Sequence, residues 1–144
     1  MVKKSLLLGV SSGILAGIAA IILLNIYKEA YFTDFSAVKV ILSDSMAIQF
    51  KPLSILLVCA SAGIIIGLLY TLFIQLFKSK GLIIFNLFLT IFTFGTLVLP
   101  MAAQLPLDLD EDLMMLFPGF AITIHFFPIL SWYTLKPIFF RTKI

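Results

Sequence analysis

The sequence predicts an all-α integral membrane protein, a bundle of four transmembrane helices with both termini cytoplasmic. Three observations predict it. Hydrophobic residues make up 62% of the chain and charged residues 12%, against roughly half and a quarter in soluble domains. With a mean hydropathy of +1.18, there is too little polar surface to coat a water-soluble globule. Apolar residues also fill four long runs, and lysine and arginine are unequally shared between the segments that join them. One transmembrane domain, residues 1–144, accounts for the whole chain.

A hydrocarbon core needs about 20 apolar residues of helix. Ser5–Tyr27, Leu53–Phe77, Gly81–Gln104 and Phe117–Lys136 each supply them. None alternates with period two, so helices are predicted rather than the strands of a barrel. The first run follows Lys3 and Lys4 and superficially resembles a signal peptide. It exceeds the usual apolar region, however, and lacks a clear small-x-small cleavage site before Tyr27, so it is expected to remain as a span. Residues 28–52 form the one sizeable loop. There Thr33 or Asp34 is placed to cap a short interfacial helix through Leu42, with Phe35, Val38, Ile41 and Leu42 at amphipathic spacing. Only Lys78-Ser79-Lys80 separates the second and third runs, which must therefore be antiparallel neighbours. Pro100 is placed to kink or end the third helix.

Charge sets the orientation. With the N-terminus cytoplasmic, the inner side holds Lys3, Lys4, Lys78, Lys80, Lys136, Arg141 and Lys143. The outer side holds Lys28, Lys39 and Lys51 together with every acid: Glu29, Asp34, Asp44, Asp108, Asp110, Glu111 and Asp112. Lysine and arginine decide topology in loops this short, and they favour this threading. Tyr27, Tyr31, Phe32 and Phe35 would form an outer aromatic belt, and Trp132 with Tyr133 an inner one.

Four groups of residues are candidates for more than spanning. Gly9, Gly13 and Gly17 repeat every four residues, as do Cys59, Gly63 and Gly67. In lipid no hydrophobic force joins helices, so small residues that let backbones approach must do so. Level loop ends would set Gly13 and Gly17 at the depth of Gly67 and Gly63, as an intramolecular seam, a homodimer seam or a groove. Asn86, Thr90 and Thr93 share one face of the third helix and are expected to bond a neighbour or their own helix. His125, the only histidine, is an ionisable ring in an apolar segment. It either satisfies a carbonyl freed by Pro128 or a threonine of the third helix, or marks a proton or ligand path.

The acidic loop, Asp108, Asp110, Glu111 and Asp112, alternates like the start of an EF-hand. It has Leu113 where the glycine and Gly119 where the glutamate belong, so that motif is excluded and a solvated outer loop is expected.

No phosphate-binding, hydrolase or metal-protease motif is present, and no basic-aromatic surface suits nucleic acid. No catalytic residue, metal ligand or cofactor is predicted. A small multidrug exporter is also a four-helix chain, but it relies on an intramembrane glutamate that every run here lacks. The expected role is a non-enzymatic structural, assembly or accessory subunit of a bacterial inner membrane, in contact with lipid and with itself or another membrane protein. The alternative is a transporter or channel protomer acting as an oligomer, with His125 on its path.

Overall fold

The computed structural model describes residues 2–37, 39–43, 46–98, 101 and 111–140, with 37, 39–43 and 46–48 as backbone alone. Among them are four helices: α1 (Val2–Tyr31), α2 (Pro52–Phe77), α3 (Gly81–Gly95) and α4 (Glu111–Phe139). A short hairpin, β1 (Lys39–Ser43) paired antiparallel with β2 (Met46–Gln49), lies between α1 and α2. Three helical stretches are long and apolar enough to cross a membrane: Val2–Tyr31, Pro52–Gly95 and Glu111–Phe139.

The middle stretch folds back on itself. Lys78 takes φ 47° and ψ −117°, and a 3₁₀ turn, Lys78–Lys80, starts α3 in the opposite direction. The Tyr70 and Phe85 rings consequently lie 5.2 Å apart, and Phe73 and Phe88 5.0 Å apart. Fifteen residues of straight helix would separate them by about 22 Å. The approach is tight at its apex, where a β-carbon on Gly81 would lie 2.6 Å from the Phe73 carbonyl oxygen.

Successive helices are antiparallel. Lys3, Lys4, Lys78, Lys80 and Lys136 therefore lie at one end of the bundle, and Lys28, Glu29, Asp34, Lys51, Glu111 and Asp112 at the other. Two apolar layers fill the interior. Leu8, Ile66, Tyr70, Phe85, Leu89, Ile129 and Trp132 pack toward the Lys78 turn. Ala16, Ala20, Leu24, Phe35, Ile55, Cys59, Phe117, Phe120 and Ala121 pack toward the hairpin.

Several expectations change. The interfacial helix through Leu42 does not form. Asp34 does accept from the Ser36 backbone N–H, but it opens only the 3₁₀ turn Phe35–Ala37, and the chain then becomes β1. Val40 and Ile41 are β-branched and suit a strand better than a helix. The Ser36 hydroxyl also donates to Asp34, and Lys28 pairs with it at 3.0 Å. Those bonds, the Ser36 hydroxyl first, hold the Asp34 carboxyl below its ordinary pKa.

Phe35 is no belt residue. It is fully buried and stacks on Phe120 with ring centroids 4.4 Å apart, closing the hairpin end of the bundle. Trp132 is likewise buried, against Tyr70 and Phe85, rather than set at an inner interface.

Helix boundaries move too. α1 runs four residues past Tyr27 and leaves through Phe32 at φ 55°. α4 starts six residues before Phe117, with Glu111 and Asp112 in its first turn, where carboxylates oppose the positive end of the helix dipole. α3 breaks at Gly95; helical backbone is found again at Val98 and Met101, whose N–H bonds the Leu97 carbonyl, and the expected end, Gln104, lies outside the described residues. Leu97 N–H bonds the Phe94 carbonyl, three residues back, which tightens and ends the helix. Pro100, the expected breaker, lies outside the described residues.

Candidate functional site

α3 and α4 are joined by a ladder of polar contacts running most of the length of α3. At the Lys78 end, Lys136 Nζ donates to Asn86 Oδ1 at 3.1 Å and lies 5.3 Å from the Tyr70 ring centroid. One turn along, Tyr133 donates its hydroxyl to the Asn86 carbonyl at 3.3 Å and lies 3.5 Å from the Thr90 hydroxyl. At the far end, His125 Nε2 is 3.1 Å from both the Thr93 carbonyl oxygen and the Thr96 hydroxyl.

The end of α3 creates the place His125 fills. In an unbroken helix the Thr93 carbonyl would accept from Leu97 N–H, four residues on. Leu97 bonds Phe94 instead, so the Thr93 carbonyl is left to side chains. It accepts from His125, and at 3.1 Å it shares the single hydrogen of the Thr96 hydroxyl with the Phe92 carbonyl, 2.9 Å from that hydroxyl. A carbonyl oxygen can only accept, so Nε2 carries the hydrogen and, in the neutral ring, Nδ1 carries the lone pair. His125 caps α3 from the neighbouring helix. Of the two expected partners, a threonine of the third run is found, Thr96 in Gly81–Gln104, whereas the carbonyl is the one freed at the end of α3 and not one freed by Pro128.

Asn86, Thr90 and Thr93 thus all meet α4, each in a different way. Asn86 and Thr90 use side chains, whereas the Thr93 hydroxyl turns back to Leu89 in its own helix and only its carbonyl reaches across. The spacing argument stops at Thr93 and omits Thr96, Tyr133 and Lys136. The signal for them was there: Thr96 follows Thr93 by three, and Tyr133 and Lys136 follow His125 by eight and eleven, along one helix face.

Beside the ladder lies a cavity of about 460 Å³ between α2, α3 and α4. Apolar side chains line most of it, including Ile55, Ile66, Phe92, Phe117 and Ile129. Its polar lining comes from Gln49, Ser54, Thr93, Thr96 and His125. None of the lining residues among those described is charged. His125, half-buried, is the middle residue of α4.

The glycines lie elsewhere, between α1 and α2. Gly9 and Gly63 meet backbone to backbone. A β-carbon on Gly13 would lie 2.6 Å from the Ala60 α-carbon, and one on Gly67 2.6 Å from the Ser5 carbonyl oxygen. Gly17 faces Leu56. Gly63 thus meets Gly9 and Gly13, and Gly67 meets Ser5 and Gly9, where level loop ends implied Gly17 for Gly63 and Gly13 for Gly67; the register differs by about six residues, nearly two turns. Superposing the two small-residue stripes decides it, Ser5 to Ala20 on Cys59 to Thr71, because backbones this close admit nothing larger. The hydroxyls of Ser12 and Thr71 bond carbonyls of their own helices, so on this seam they supply smallness rather than links.

Of the acidic group, Glu111 and Asp112 are exposed in the first turn of α4. Asp108 and Asp110 lie outside the described residues.

No family model, curated protein or solved structure matches the chain, so its role must be read from its own residues.

Proposed function

We propose that this chain is a four-span protein of a bacterial inner membrane, with both termini cytoplasmic, that serves as a non-enzymatic assembly or accessory subunit. α3 and the residues after Gly95 make the third of its four passes. The glycine zipper of Gly9, Gly13, Gly17, Gly63 and Gly67 holds α1 to α2 within one chain, which leaves the lipid-facing sides of the bundle for a partner. Basic residues at the Lys78 end and acids at the hairpin end support the threading.

One observation carries the non-enzymatic reading. Among the described residues, the polar groups that meet between α3 and α4 are engaged in joining those helices, and His125 is the one imidazole at mid-depth. Acid–base or nucleophilic chemistry needs several such groups converging on one point.

The test measures the mass of the detergent-solubilised particle together with ion flux in liposomes. A particle of one chain, or of this chain with a different protein, and no proton or cation flux is expected. The rival reading, an oligomeric transporter protomer, draws on His125 lining the cavity. Flux through a homo-oligomer that His125→Gln abolishes would replace the accessory reading with that one, since an amide does not titrate near neutral pH.

A further inference from the structure

The ring of His125 is engaged on one side. Nε2–H is held by Thr93 and Thr96, whereas Nδ1, the lone-pair nitrogen, has no hydrogen-bond partner among the described residues. The ring also lines the cavity between α2, α3 and α4. We propose that this cavity binds a small hydrophobic molecule carrying a hydrogen-bond donor, of the alcohol or phenol class, which donates to Nδ1 of His125.

Four features select that chemistry. The volume, about 460 Å³, falls within the roughly 300–1,000 Å³ of ligand pockets, and an apolar lining with a few convergent polar atoms is their usual make-up. Val58, Ile65 and Phe92 line the cavity and are more than half exposed on the apolar exterior, so a ligand reaches it from the lipid. Among the described residues the lining has no charge to pair with an ionic ligand. Depth excludes an interfacial headgroup: His125 is fourteen residues from either end of α4, or about 21 Å along the helix. A plain acyl chain fits the walls but leaves Nδ1 unpaired in hydrocarbon, where an unmet polar atom is costly. The inference needs the membrane setting and is independent of the accessory role.

The experiment uses the single histidine. Ring-¹⁵N labelling reports one imidazole, and the probes are 4-heptylphenol and its methyl ether, which differ by the donor. In the wild-type protein the phenol is expected to shift the unprotonated Nδ1 resonance saturably and to bind about tenfold more tightly than the ether, the preference one hydrogen bond in lipid supplies. His125→Phe should bind the two probes alike, and Ala62→Phe, which fills the cavity, should bind neither. Equal binding of phenol and ether to the wild type would make the cavity a site for acyl chains only and overturn the proposal. So would an Nδ1 that carries the proton, or the absence of saturable binding. The wild-type spectra decide even if a variant fails to fold, and neither flux nor particle mass enters the readout.

Discussion

At His125, one nitrogen restores a hydrogen bond that α3 loses where it ends. Its substitutions therefore separate cleanly. His125→Gln keeps a donor for the Thr93 carbonyl and should retain most stability. His125→Leu leaves that carbonyl to Thr96 alone and should cost about 1–2 kcal/mol, the range for interhelical hydrogen bonds in lipid. Thermal unfolding in detergent measures both, and equal losses would show that the bond adds nothing. Trp132 presents the opposite case. It is fully buried, and its Nε1–H has no partner among the described residues. Trp132→Phe removes an unsatisfied donor along with some packing and should change stability by less than about 1 kcal/mol. Trp132→Ala, which leaves only the cavity, should cost about 3 kcal/mol or more. Lys78 holds a backbone conformation that glycine reaches without a β-carbon clash. Lys78→Gly is expected to stabilise the fold by about 1 kcal/mol, whereas Lys78→Ala should not.

At the scale of elements, the α1–α2 seam and the α3–α4 ladder join helices by different physics. The seam works by backbone proximity, so its tolerance is steric. Gly63→Ala would press a methyl group against the Gly9 carbonyl and the Gly13 backbone. A loss of about 1–3 kcal/mol is expected, as for overpacked cores. Gly95 is the internal control, since a β-carbon there meets nothing within 4 Å. Gly95→Ala should be neutral or gain up to about 1 kcal/mol. If the two variants unfold at the same temperature, the close approach of α1 and α2 is wrong. The ladder instead depends on long side chains, Lys136, Tyr133 and His125, that reach across a gap wide enough to leave the cavity beside it.

For the whole molecule, the antiparallel order carries a topological prediction. With both ends cytoplasmic, a cysteine at Ser79 should label only from the inside and one at Asp110 only from the outside, while a reporter after Ile144 reads as cytoplasmic. The native Cys59 is buried and does not compete for reagent. Outside labelling at Ser79 would reverse the threading.

Hydropathy by itself determined the helical class, the apolar stretches and the tight hairpin at Lys78-Ser79-Lys80, because those follow from local composition and from what hydrocarbon tolerates. The polar face of the third helix was legible in spacing as well. The partners were not. Thr93 meets His125 through its carbonyl, and that carbonyl is free only because Leu97 bonds Phe94 rather than Thr93. Register was decided by the fit of two small-residue stripes, which overrides the level of the loop ends. Phe35 and Trp132 looked interfacial by residue type, and tertiary packing buries both against other aromatic rings. The cavity, too, exists only in three dimensions, since its walls come from α2, α3 and α4. Composition reports what each residue can do; contact between helices distant in sequence decides which of those capacities is used.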